Sequence, residues 1–248
     1  DNKFLKKILR KKNKSNIITY GFENGSDLHP YNVKNSGKMM FFNISVKLNN
    51  KVEHIKNIEL NLLGKHNVLN ATAAIGVAKS LGIKNNTIKA TLKNFLGVQR
   101  RLTKITNFRG SEIYDDYAHH PTEIISVLNA IKSGFKEKKI VTVFQPHRYS
   151  RVASLKKEFA NAFKDSDLVV LCPIYAASEK PIKNINHYEL AKLINKNSKK
   201  DVICIENQFD LERFIKRHTY GNEVIVCMGA GSISSWIREI AVNLKNEH

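Results

Sequence analysis

The spacing of apolar residues changes character twice along the chain. Before Gly64 they fall in short strand-like runs, Ile17–Phe22, Met39–Val46 and Ile58–Leu63, with turn signals at Asn24-Gly25-Ser26 and Asn35-Ser36-Gly37. A basic opening stretch that includes Lys11-Lys12-Asn13-Lys14 precedes them and reads as helical or frayed. After Gly64 the period becomes helical: Leu69, Ala73, Val77 and Leu81 form one face of a helix predicted over Asn67–Leu81. That helix ends before Ile83 and the polar Lys84-Asn85-Asn86 turn, and a shorter helix is predicted over Thr87–Phe95.

From residue 99 onward, strand and helix alternate. The predicted strands are Glu112–Tyr114, Ile140–Phe144, Leu168–Leu171, Val202–Ile205 and Val224–Cys227. The predicted helices are Pro121–Ile131, Ser150–Phe163, Tyr188–Asn195, Gln208–Arg217 and Ser232–Leu244. Near-continuous Val/Ile/Leu runs are what a parallel sheet buried between two helical layers requires. The expected class is therefore α/β, with a Rossmann-like sheet in residues 99–248 and binding groups in the loops after the C-terminal strand ends. The 248 residues suffice for two modest domains, divided near residue 98.

Composition modifies this picture only slightly. The net charge of +19 invites a nucleic-acid reading. The excess is mostly Lys scattered among Asn, without a recognition-helix, zinc-finger or RNP pattern, so a solvated Lys surface is the preferred reading and no specific nucleic acid is expected. Cys172, Cys204 and Cys227 lie in apolar runs without metal-ligand spacing and read as buried thiols, which fits a cytoplasmic location. No run of about 18 apolar residues indicates membrane insertion.

Five segments could carry chemistry. Asn67 and Asn70, three apart on a helix, share a face and could read the donor–acceptor edge of adenine; alternatively Asn67 is an N-cap and Asn70 a surface residue. Arg100-Arg101, at the junction of the two pieces, is either a phosphate or ribose clamp or a solvated linker. Asp115-Asp116-Tyr117-Ala118-His119-His120-Pro121-Thr122-Glu123 gathers carboxylates, a phenol and imidazoles between a strand and a helix; a capping cluster explains Pro121 and Glu123 but not that density. In Gln145-Pro146-His147-Arg148-Tyr149-Ser150-Arg151, two arginines three apart beside a helix start could converge on one carboxylate, or be ordinary surface residues. The Gly229-Ala230-Gly231 turn serves phosphate binding or tight packing equally well.

Taken together, GKHNVLNATAA, GVQRR, DDYAHHPTEI, FQPHRYSR and MGAGSI resemble the Mur ligase family over essentially the whole chain. The resemblance implies that residues 1–98 are the C-terminal half of a central ATP-binding domain. Residues 99–248 would be the C-terminal domain that closes over nucleotide and amino acid. Asn67, Asn70, Arg101 and Asp116 would hold the nucleotide. Tyr117, His119, His147, Arg148 and Arg151 would surround the incoming amino acid, with His119, Arg148 and Arg151 nearest the chemistry. The implied reaction uses ATP and magnesium to activate the carboxylate of UDP-N-acetylmuramate as an acyl phosphate, which the amine of L-alanine attacks. A tripeptide-recycling ligase of the same family, a decayed remnant and a basic nucleic-acid-binding module stand as alternatives. The chain starts at Asp1 and contains no GxxGK[ST] phosphate loop. It is expected to be part of a longer ligase, inactive alone, with the magnesium ligands mainly elsewhere.

Overall fold

The computed structural model describes residues 17–246. The basic opening stretch, with Lys11-Lys12-Asn13-Lys14, lies outside them. The chain forms two compact units, one ending at Leu96 and the other starting at Gly97.

In the first unit, β1 (Leu28–Ser36), β2 (Met39–Leu48) and β3 (Lys51–Leu60) make an antiparallel sheet in that order. Gly37, at φ 57°, turns β1 into β2. Asn49 and Asn50, both left-handed at φ 49° and 61°, make the two-residue turn into β3. Two expectations fail here. Residues 17–22 form no strand beyond a bridge from Tyr20 to Leu28. The unforeseen strand β1 carries Pro30 and a polar second half, which hide its period. A Pro is tolerated there because β1 is an edge.

Helix α1 (Lys65–Ser80) and helix α2 (Asn85–Asn94) follow the sheet. The buried face of α1 is Val68, Ala71, Thr72, Ile75 and Gly76. The expected Leu69/Ala73/Val77/Leu81 stripe is not the core face, for Val77 is 63% and Leu81 74% exposed. Small residues occupy the true face because helix and strand approach closely. A Cβ at position 76 would run into the buried Leu28 side chain.

The second unit is a six-stranded α/β sheet in the order β4-β5-β9-β6-β7-β8. Its strands are β4 (Thr103–Phe108), β5 (Ser111–Asp116), β6 (Lys139–Phe144), β7 (Leu168–Leu171), β8 (Asp201–Cys204) and β9 (Glu223–Met228). Edge strand β4 runs antiparallel to β5, and all the other pairings are parallel. Helices α3 (Pro121–Gly134), α4 (Tyr149–Ser154), α5 (Lys156–Ala160), α6 (His187–Ser198), α7 (Gln208–His218) and α8 (Ile233–Lys245) flank it. Leu211, Phe214 and Ile215 of α7 join Ile233, Ile237, Ile240 and Leu244 of α8 against Ile113, Val143, Ile225 and Cys227. On the opposite face, which alternation along the strands assigns to Tyr114 and Phe144, Phe135 packs on Tyr114 while Phe159 and Phe163 pack on Phe144.

The helix expected over Ser150–Phe163 is broken at Leu155, whose φ −117° and ψ 26° leave α-geometry. That break leaves α4 only six residues long. Strand β9 enters last, between β5 and β6, so Asp116, Met228 and Phe144 end side by side. Three chemically loaded loops therefore leave neighbouring strand ends.

Candidate functional site

Asp115 and Asp116 point to opposite sides of the sheet, as adjacent strand residues must. Fully buried Asp115 faces α8: its Oδ2 accepts from Ser234 Oγ at 2.6 Å and from Arg238 Nη2 at 3.2 Å. Asp116 is also buried, and its two oxygens accept from the backbone N–H groups of Ala118 and Leu102, each at 2.7 Å. Burial pushes Asp116 up to about 6, against the pull of those two N–H donors and the Arg101 charge. Both carboxylates thus bond to protein groups, although Asp115 Oδ1 is buried without a partner.

The next residues divide between capping and display. His120 caps α3 by accepting from Thr122 N, and Glu123 accepts from the backbone N–H groups of His119 and His120, completing a capping box. Burial raises the Glu123 pKa, but those donors and the His119 and Arg101 charges outweigh it and leave the pKa lowered. His119 is left partly buried, its side chain 19% exposed. Its Nδ1 lies 2.9 Å from the Tyr117 carbonyl, which can only accept, so Nδ1 carries a proton and Nε2 of the neutral ring keeps a lone pair. The Tyr117 ring packs edge-on against it at 5.1 Å.

His119 meets the loop after β6 across a 6.0 Å ring separation to His147. Arg151 Nη1 donates to His147 Nδ1 at 3.2 Å, which puts the His147 proton on Nε2. Burial lowers the His147 pKa first, followed by the charges of Arg151, His119 and Arg148. The arginines do not converge in this state. Arg151 turns back on His147, while half-exposed Arg148 sits 3.9 Å from Glu179. Glu179 also accepts from the backbone N–H and the hydroxyl of Ser150, so it fastens the start of α4.

Two contributors, Tyr175 and Glu179, carry no sequence motif. The Tyr175 ring stacks on His147 at 5.4 Å, and its backbone exchanges hydrogen bonds with Pro146 and Arg148. Tyr175 and Glu179 follow β7, so attention to every C-terminal strand end would have found them. Gln145 is buried; it accepts from Ile233 N and donates to Ser232 Oγ, both at 3.0 Å. A Cβ at Gly231 would stand 2.5 Å from both Gln145 Oε1 and Tyr175 Cγ. The glycine turn is therefore built for tight packing, and its helix N-terminus is already capped.

Arg101 is exposed, with its guanidinium 5.8 Å from the Tyr117 ring centroid. Asn67 and Asn70 belong to the first unit. Asn70 Nδ2 donates to Asn67 Oδ1 at 3.3 Å, and Asn67 Nδ2 donates to the Leu63 carbonyl at 2.8 Å. They share a face, but the N-cap of α1 is Gly64, not Asn67. Among the described residues, no group of three or more His, Cys, Asp or Glu side chains could hold a metal ion.

The family model for the Mur ligase glutamate ligase domain matches residues 100–231, and that for the Mur ligase middle domain matches residues 1–78. The chain belongs to the Mur ligase family. Among curated Mur ligases it is similar to the UDP-N-acetylmuramate–L-alanine ligase of Pelagibacter ubique, 45% identical over 97% of this chain and 52% of the relative. It is also similar to the ligase of that name from Ruthia magnifica, 41% identical over 88% of this chain and 46% of the relative. Among solved Mur ligase structures, the UDP-N-acetylmuramate-alanine ligase of Thermotoga maritima superposes with a TM-score of 0.77 at 27% identity, covering 93% of this chain and 48% of that one. The chain spans about half the length of the curated relatives it matches.

Proposed function

We propose that this chain is the amino-acid-binding and nucleotide-closing portion of an ATP-dependent ligase that joins UDP-N-acetylmuramate to L-alanine. The observation that carries this reading is the approach of His119 to His147, which brings the loops after β5 and β6 into one site. The similarly named relatives at 45% and 41% identity support it.

Within that site, residues divide the work by charge and protonation. Arg148 and Arg151 supply positive charge for the amino-acid carboxylate, Arg148 being the more exposed. His147 presents an Nε2–H donor. The Nε2 lone pair of His119 is the group proposed to take a proton from the incoming amine. Tyr117 packs edge-on beside His119.

Asn67 and Asn70 of the first unit, and Arg101 and Asp116 of the second, are the groups proposed to contact the nucleotide. Bound ATP supplies the phosphoryl group that activates the acid. The Asn67–Asn70 amide pair suits an adenine edge, and Asp116 acts by fixing the Arg101 turn through Leu102 N. The described residues do not form a magnesium site, so no step is derived through that ion. The reading includes a cytoplasmic location, which the free thiols of Cys172, Cys204 and Cys227 support. No helix among the described residues is long and apolar enough to cross a membrane.

The test is a chimera that joins this chain to the part of the Pelagibacter ubique ligase outside the matched region. Phosphate release that requires both UDP-N-acetylmuramate and L-alanine is the expected result. Release that ignores L-alanine would overturn the reading.

A further inference from the structure

Arg100 is tied to two separate loops of the second unit, those after β5 and β9. Its backbone carbonyl accepts from Tyr117 N at 2.8 Å. Its Nη2 donates to the Gly229 carbonyl at 2.7 Å, 129 residues away. Its guanidinium lies 4.6 Å above the Tyr117 ring, and its Nε is buried without a partner. The residue adopts φ 60°, an uncommon conformation for a non-glycine side chain. Leu102, at φ 47°, follows in the same left-handed region, with its N–H held by Asp116. A buried unpaired Nε and a left-handed backbone both cost free energy. The contacts to Tyr117 and Gly229 are what the cost maintains.

Tyr117 is the nearer partner of His119 Nδ1, at 2.9 Å against 3.6 Å for Glu123 Oε2. Its carbonyl holds the Nδ1 proton of His119, and its ring packs on the imidazole. We propose that Arg100 is a positioning residue: by gripping Tyr117 from its backbone and from its ring face, it sets the tautomer and orientation of His119. This inference rests on the ligase reading for its consequence in catalysis, though not for its structural content. Arg100 meets no substrate in this account; it acts through Tyr117. Lysine is a poor substitute, because the planar fork that both stacks and donates is lost.

The test is nitrogen-15 NMR of the histidine rings in the 248-residue chain. In the unaltered chain, His119 is expected as the Nδ1–H tautomer and His147 as Nε2–H. Arg100→Ala should shift His119 towards Nε2–H and leave the His147 pattern in place. Arg100→Lys, which keeps the charge, should move it in the same direction by a smaller amount and decides the matter if the alanine variant does not fold. His119 signals unchanged in the folded variants would overturn the proposal. In the chimera, Arg100→Ala should lower kcat about tenfold or more, since small misplacements of a reacting group are costly, while the KM for ATP stays within about twofold. An inactive unsubstituted chimera would count against the ligase reading alone, because the NMR result decides the role of Arg100 without activity.

Discussion

Arg151 Nη1 stands 3.2 Å from His147 Nδ1, so a permanent cation fixes the imidazole tautomer and opposes its protonation. Burial acts first and the Arg151 charge second, and both lower the His147 pKa. Arg151→Met is therefore expected to raise it, as read by NMR titration of the ring. The sign follows for stability: a depressed His pKa means the unfolded chain binds protons more readily, so this contribution falls as pH drops below the ordinary value of 6.5. A titration midpoint that stays fixed in the methionine variant would show that the guanidinium has no hold on the ring.

Asp116 works in the opposite sense. Its pKa rises from 3.8 to about 6, chiefly through burial, so in that window the folded chain keeps a proton that the unfolded chain has lost. The increment is present below 3.8 and is lost as pH rises through about 6, with a size on the order of 2–3 kcal/mol. Urea denaturation at a series of pH values should show this slope in the unaltered chain and not in Asp116→Asn. Parallel curves for the two proteins would refute the assignment.

Gly231→Ala places a methyl group 2.5 Å from Gln145 Oε1 and Tyr175 Cγ. Overpacking of this kind costs about 1–3 kcal/mol. Chemical denaturation should show that loss, together with a weaker Tyr175–His147 ring contact in the NMR spectrum. A neutral substitution would mean that the turn has room to spare.

Gln145→Leu keeps the bulk and removes the amide that serves Ile233 N and Ser232 Oγ. A buried donor without a partner costs about 1–3 kcal/mol. The expected result is a lower denaturation midpoint with an unchanged slope, plus faster hydrogen exchange at the first turn of α8. Exchange that matches the unaltered chain would place the cap elsewhere.

Much of the second unit could be read from sequence, because buried parallel strands such as Ile140–Phe144 and Leu168–Leu171 are nearly continuous apolar runs. The segments after β5 and β6 could also be read, since ionisable residues crowd between a strand and a helix. Edge strands β4 and β1 could not: β4 is mostly polar and β1 contains Pro30, so neither shows a clean period. The core face of α1 was misassigned because Ala71, Thr72 and Gly76 pack closely without being strongly apolar. His120 reads as a site residue beside His119, yet its ring caps α3. Tyr175 and Glu179 enter the site through long-range contacts that no local pattern encodes, while Gln145 and Arg100 lie in legible segments but have partners far away in sequence.

The central proposal is that the loops after β5 and β6 bind L-alanine. The most direct measurement is the KM for L-alanine in the chimera carrying Arg148→Ala. Loss of a charge-assisted bond worth about 1.5–3 kcal/mol should raise that KM by roughly 10- to 150-fold while the KM for ATP stays within about twofold. An unchanged KM for L-alanine in an active Arg148→Ala chimera would contradict the account.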